Sequence, residues 1–216
     1  MPLHAHRQAE VDYVVSGEAR IHAGDAVADV AAGVCIYHAP GAAHAVEALG
    51  AAPLRYVRTF ACERLAPPPE RVPQPAPGAP APWIGRPDSV AWRAVEPSKG
   101  LQIRVKRLVD RGVEVMAGVC EFDPGVHYTR HFHDQPEIYV VLAGSGVVYK
   151  GDEEVEVGPG AALYLTSREV HGLDSLGDEP LSLYWVYGCE TAGDRINWTP
   201  VEPVYERARP RAARGR

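Results

Sequence analysis

The 216-residue chain has no apolar run near the roughly 20 residues that a bilayer-crossing helix needs. Met1-Pro2-Leu3-His4 offers neither the basic start nor the apolar core of a secretory leader. A cytoplasmic location without membrane attachment is therefore expected. Basic excess is also lacking. The formal net charge is −6, whereas a general nucleic-acid surface needs a clustered basic face. The four cysteines, Cys35, Cys62, Cys120 and Cys189, show no C-x2-C spacing, which argues against a cysteine-rich zinc site. They read as small buried thiols and not as disulfide partners. No stretch carries a helical apolar period, so no DNA-recognition helix is expected. The remaining partner class is a small molecule.

Short strand signals are what the chain does contain. Residues 101–109 alternate apolar and polar, and residues 113–122 are largely apolar. Further runs at 54–60, 137–142, 146–150, 153–157, 162–165 and 181–187 are separated by Gly, Asp and Pro. This spacing predicts an all-β sandwich or barrel. Residues 64–88 are crowded with proline, which lacks a ladder donor and favours extended backbone. They read as a semi-rigid linker, with a ligand for a proline-binding domain as the other reading.

One segment carries metal-ligand chemistry: His131-x-His133-x3-Glu137, between Gly125 and Gly144. An isolated His-x-His pair is commonplace on surfaces and has no meaning alone. Here the carboxylate keeps the even spacing, so all three side chains are expected on one strand face. His171 follows at the end of an apolar run as a fourth donor. Shifting the sequence along itself by 127 positions then gives a second set without gaps. His4 falls on His131, His6 on His133, Glu10 on Glu137 and His44 on His171. Gly17 falls on Gly144, Gly33 on Gly160, Tyr37 on Tyr164 and Pro53-Leu54 on Pro180-Leu181. The chain holds two copies of one unit.

These residues resemble the two motifs of the cupin superfamily, G-x5-H-x-H-x3,4-E-x6-G and G-x5-P-x-G-x2-H-x3-N. Gly125, His131, His133, Glu137 and Gly144 meet every fixed position of the first. In the second, Gly160 and His171 fit, while Thr166 replaces the proline, Arg168 the glycine and Ser175 the asparagine. The first copy keeps that glycine as Gly41, with Pro40 one place late. The chain thus resembles a bicupin, which implies two double-stranded β-helix (jelly-roll) barrels. The boundaries are 1–63 for an incomplete N-terminal barrel, 64–88 for the linker, 89–200 for the C-terminal barrel and 201–216 for a basic tail. The tail is either solvated chain or a contact for an anionic partner. The first copy lacks counterparts of residues 89–127. It is expected to borrow strands from the other domain or from another subunit, which makes a homodimer the expected assembly. The alternative is a chain that starts late relative to its ancestor.

Neutral imidazoles with one carboxylate suit divalent Fe, Mn, Co, Ni, Zn or Cu, one or two ions per chain. Four protein donors on an octahedral ion leave two positions for a substrate, as enzymes require. Tyr139 shares the Glu137 face and is a candidate substrate contact, with Val141 as an apolar wall beyond it. Arg104 and Lys106 share a face on an earlier strand, where they either hold a substrate carboxylate or meet solvent. His22, His38 and His127 read as ordinary polar positions. The resemblance implies an enzyme acting on a small organic acid, enol or phenolic compound, a dioxygenase first. An isomerase, decarboxylase or cyclase working without oxygen is the second expectation, and a non-catalytic small-molecule-binding protein the third.

Overall fold

The computed structural model describes residues 1–61, 70–72, 80–95, 102–110, 114–189 and 196–201. Cys62, most of the proline-rich stretch and the basic tail beyond residue 201 lie outside them. Among the described residues the only helical turn is a short 3-10 turn at Pro87–Ser89. No helix there is long and apolar enough to cross a membrane. Cys35, Cys120 and Cys189 stand outside any disulfide among the described residues.

The strands are β1 (His4–Ala5), β2 (Glu10–Ser16), β3 (Glu18–Ala23), β4 (Ala26–Ala31), β5 (Cys35–His38), β6 (His44–Leu49) and β7 (Arg55–Phe60). Short β8 (Glu70–Arg71), β9 (Trp83–Gly85) and β10 (Arg93–Ala94) follow. Next come β11 (Ile103–Val109), β12 (Val115–Phe122), β13 (His127–Phe132), β14 (Glu137–Ala143) and β15 (Ser145–Lys150). The series ends with β16 (Glu153–Val157), β17 (Ala162–Leu165), β18 (His171–Leu176), β19 (Leu181–Gly188) and β20 (Thr199–Pro200).

These residues fall into two compact units. The first gathers the described residues of Met1–Ala91, Arg107–Gly118 and Val186–Asp194. It contains a five-stranded sheet in the order β4-β3-β6-β1-β8 and a four-stranded sheet β7-β2-β5-β9. The pairs β1–β6, β2–β5, β3–β4 and β3–β6 are antiparallel, which lets one face stay apolar while the other meets water. Val14, Ala19, Ile21, Val30, Val34, Ile36 and Val46 fill the interior between them. Burying each such Val or Ile is worth about 1.5–3 kcal/mol, so this cluster is a main source of the unit's stability. Portions of β11, β12 and β19 belong to this unit, so it is built from early and later parts of the same chain.

The second unit gathers Trp92–Lys106, Val119–Trp185 and the described residues after Arg195. It holds a five-stranded sheet in the order β16-β15-β18-β13-β20. Leu165, Leu173, Leu181 and Leu183 are fully buried in this unit. At the entry to β15, Gly144 adopts φ +74, and a Cβ there would run into the Pro180 carbonyl. Gly17, 127 residues earlier, has φ +82 and would place a Cβ 2.8 Å from the Pro53 carbonyl. Only glycine fits this crossing, which explains why both copies carry it.

Within the stretch read as a linker, the described residues include two short strands. β8 pairs with β1 and β9 with β5, each at the edge of its sheet. Proline excludes a central strand but tolerates a short edge strand beside it, which is why proline content concealed these pairings.

Candidate metal centres

Strand register brings the histidines together. In the first unit β1 pairs with β6 so that His4 lies opposite His44, and in the second β13 pairs with β18 so that His131 lies opposite His171. Directly opposed residues of an antiparallel pair share a face. His6 and His133 follow the ends of β1 and β13, and Glu10 and Glu137 open β2 and β14. The even spacing suggested a single strand for His131, His133 and Glu137. The chain instead turns between residues 133 and 137, and the carboxylate arrives from the next strand.

In the first unit, one donor atom from each of His4, His6, Glu10 and His44 lies within 4.8 Å of the others. Glu10 Oε2 is 2.9 Å from His6 Nε2, and Oε1 is 3.2 Å from His44 Nε2. In the second, the donor atoms of His131, His133 and His171 lie within 4.8 Å of one another. Glu137 Oε2 stands 3.2 Å from both His133 Nε2 and His171 Nε2. All eight residues are buried.

Hydrogen bonding fixes which ring nitrogen faces inward. Nδ1 of His131 lies 2.8 Å from the Thr129 carbonyl, that of His133 2.7 Å from Gln135 O, and that of His171 2.8 Å from Glu169 O. In the first unit His4 Nδ1 meets Pro2 O at 2.8 Å and His44 Nδ1 meets Ala42 O at 3.0 Å. A carbonyl only accepts, so each Nδ1 must carry the hydrogen. A neutral imidazole then has a bare lone pair at Nε2. For His44, His133 and His171 that lone pair faces a carboxylate oxygen, an unfavourable pairing unless a cation stands between. His4 Nε2 and His131 Nε2 are buried with no hydrogen-bond partner. Both sets therefore fit a divalent ion in donor type, burial and orientation of the lone pairs.

The ionisation states agree with this. Burial, then the neighbouring His171, lowers His131 to about 3, so its imidazole is neutral near pH 7. Burial works to raise Glu137, but the two imidazoles it faces prevail and hold it down at about 2, and a cation takes over that role where their Nε2 atoms are bare. Burial likewise lowers His4 and His6. Glu10 is lowered against its own burial by the His44 hydrogen bond and the Arg58 charge.

Around these sets the two units differ. Arg58 lies across from Asp12 on β7 and β2, and its Nε and Nη2 donate to the two Asp12 carboxylate oxygens at 2.9 and 2.8 Å. The same Nε is 2.9 Å from Glu10 Oε1. Burial pushes the Asp12 carboxyl up to about 6 in spite of Arg58. His38 stacks on His44 with ring centroids 3.8 Å apart, and both its ring nitrogens are buried without a partner. Burial, then His44, brings His38 down to about 3. An ordinary polar position was expected at His38; the structure makes it a buried neighbour of the donor set. At the positions 127 later stand Tyr139, Trp185 and Leu165, all uncharged and buried. The signal for Asp12, Arg58 and His38 was present as failures of the self-match.

The turn before each last histidine has the same fold with different residues. Gly41 N–H donates to the His6 carbonyl at 2.7 Å, and Arg168 N–H donates to the His133 carbonyl at 2.8 Å. Gly41 has φ 75 and Arg168 has φ 62, so Arg168 takes a left-handed conformation that suits glycine. Its Nη1 donates to Asp134 at 2.8 Å, and Asn197 also holds Asp134.

Of the substrate contacts expected from sequence, Tyr139 is buried with its ring 6.2 Å from that of His171. Arg104 is instead engaged by Glu121 at 3.1 Å and Asp123 at 3.4 Å, and it stacks with Lys106 on Trp92. His127, expected to be ordinary, joins Tyr149 on Asp174, each at 2.6 Å. Trp198 was not anticipated; its ring lies 5.2 Å from His131.

Among curated proteins, the chain is 34% identical over 79 residues to dimethylsulfoniopropionate lyase DddW of Ruegeria pomeroyi, covering 37% of this chain. The match spans only half the length of that relative. Among solved structures, oxalate decarboxylase from Lactobacillus farciminis, as a formate complex, aligns with a TM-score of 0.68 at 18% identity. It covers 91% of this chain and 75% of its own. The S161A mutant of Bacillus subtilis oxalate decarboxylase OxdC aligns with a TM-score of 0.67 at 17% identity, over 91% of this chain and 67% of its own. At such identities these structures speak for the fold, a cupin jelly roll. The cupin-domain family model matches residues 1–60 and 118–187, well over half of the sequence, and the chain belongs to the cupin family.

Proposed function

We propose that this cupin is a metal-dependent enzyme that cleaves a bond in a small organic carboxylate without consuming oxygen, a lyase or decarboxylase. The observation that carries this reading is the inward-facing Nε2 of His4, His44, His131, His133 and His171, each with its Nδ1 against a backbone carbonyl, beside a buried glutamate in each unit. His131, His133, Glu137 and His171 would hold one ion, and His4, His6, Glu10 and His44 a second. A divalent ion there supplies Lewis acidity toward a chelating carboxylate and stabilises negative charge that develops beside it. Manganese is the first candidate, since a solved relative carries Mn(II) centres. Buried aliphatic residues exclude water, and Tyr139 places a phenol near the donor set.

The relative that cleaves dimethylsulfoniopropionate and the structural neighbours that decarboxylate oxalate both act on small carboxylates. Their shared chemistry favours this class over the oxygen-consuming reaction that the family resemblance first suggested. The test is to load the full chain with manganese and supply oxalate or dimethylsulfoniopropionate in an oxygen-electrode cell. Formate with carbon dioxide, or dimethyl sulfide with acrylate, is expected with no oxygen uptake. Oxygen consumption matched to product would select a dioxygenase instead. Tight metal binding without turnover of a wider set of acids, enols and catechols would select a binding protein.

A further inference from the structure

In the second unit, β20 pairs with β13 so that Pro200 lies opposite His131 and Thr199 opposite Phe132. Opposed residues share a face, and residues two apart on a strand do too, so Trp198 approaches on the His131 side. Its indole lies 5.2 Å from the His131 imidazole at an interplanar angle of 33°. The position is fixed on both flanks. Asp134 N–H donates to Asn197 Oδ1 at 2.9 Å, and Val201 N–H donates to the Arg130 carbonyl at 2.9 Å. Yet the Trp198 Nε1 atom is buried and has no acceptor among the described residues. A buried donor without a partner is costly, and folded chains seldom keep one without a use.

We propose that the Trp198 Nε1–H is a substrate-positioning donor for an oxygen of a carboxylate bound at the C-terminal metal centre. Indole is donor-only, so it donates to an anionic oxygen and cannot satisfy a second donor. It brings no charge of its own, so it orients the carboxylate without competing with the ion for the histidines. Among the described residues of the first unit, no indole stands at the matching place. There β8 sets Arg71, which is exposed, opposite His4. Among the described residues the donor therefore belongs to the C-terminal centre, and it selects carboxylates there.

This inference rests on the metal-centre reading, and one experiment separates the two. The full chain is loaded with zinc, which is diamagnetic, and its four tryptophans are labelled with nitrogen-15. The Trp198 indole signal is assigned by its loss in Trp198→Phe. On titration with formate that signal should move downfield while the other indole signals stay. Formate affinity should fall about tenfold in Trp198→Phe, as for a hydrogen bond to a charged group, with zinc content unchanged. A chain that takes up no zinc at the C-terminal set overturns the metal reading and this proposal with it. A chain that takes up zinc while its Trp198 signal stays still under formate overturns this proposal alone. Equal formate affinity in Trp198→Phe does the same. Should Trp198→Phe fail to fold, Trp198→Tyr supplies the assignment and the wild-type shift still decides.

Discussion

The two units repeat one donor set at a constant offset and surround it differently. In the first, Glu10 faces His6 through Oε2 and both His44 and the Arg58 guanidinium, the latter at 2.9 Å, through Oε1, with Asp12 binding Arg58 through both oxygens. In the second, Glu137 faces His133 and His171, and the positions corresponding to Asp12 and Arg58 hold Tyr139 and Trp185. A guanidinium already neutralises part of the charge that a metal ion would otherwise answer. The lesson is that identical ligands do not make identical centres, because the next layer of residues sets how much negative charge an ion meets.

The largest effect expected is on metal content. His131→Ala/His133→Ala should remove one of two equivalents of manganese per chain, and His4→Ala/His6→Ala the other, as read by elemental analysis. If either double variant empties both centres, the units are not independent and the comparison breaks. During stepwise chelation of the wild-type chain, the N-terminal ion should leave first, because Arg58 opposes it.

Next in size is Arg58→Met. It leaves Asp12 and Glu10 as neighbouring buried carboxylates, which should cost the metal-free chain about 3 kcal/mol in urea unfolding. Manganese should recover more of that loss in Arg58→Met than it adds to wild type. No difference in recovery would remove Arg58 as the source of the contrast.

Acid dependence of the metal-free chain sharpens the comparison further. His131 sits at about 3 in the folded chain against 6.5 ordinarily, so its contribution is full above 6.5 and is lost as pH falls toward 3. Glu137, at about 2 against 4.5, adds a loss of the same sign at lower pH. Asp12 has the opposite sign: raised from 3.8 to about 6, its contribution is full below 3.8 and is lost as pH rises to about 6. Asp12→Asn should therefore steepen the fall in urea midpoint between about 6 and 3.8 on the pH scale, the interval between the folded and ordinary Asp12 values. An unchanged slope would mean that Asp12 does not titrate in that window.

The smallest effect is in the turns. Arg168→Gly should gain about 1 kcal/mol by removing a side chain from the left-handed region, and Gly41→Arg should lose about as much. Metal content should not change in either. A loss in Arg168→Gly would show that the bond to Asp134 outweighs the backbone cost.

Strand positions were legible because glycine, aspartate and proline punctuate alternating apolar runs. β16 and β17 begin and end where the residue pattern places them, and β14 and β19 each extend by one residue at the end. The turn between His133 and Glu137 was not legible, since even spacing alone reads equally well as one strand. Proline content hid β8 and β9, because their pairing depends on partners more than 45 residues away in sequence. Asp12, Arg58 and His38 were visible only as mismatches in the repeat, with nothing local to say that they meet.

The sequence by itself determined that eight donor residues occur in two matched sets and that the chain between them alternates as sheet. Spacing and residue type suffice for that, because side-chain direction in a strand has period two and imidazole chemistry is intrinsic. Only the tertiary structure decided that Nδ1 of five of the histidines meets a backbone carbonyl so that Nε2 faces inward, and that an arginine sits against the first set. It alone decided that an indole N–H is buried beside the other. These depend on register between distant strands, and register is fixed by the packed interior as a whole and not by any short stretch of chain.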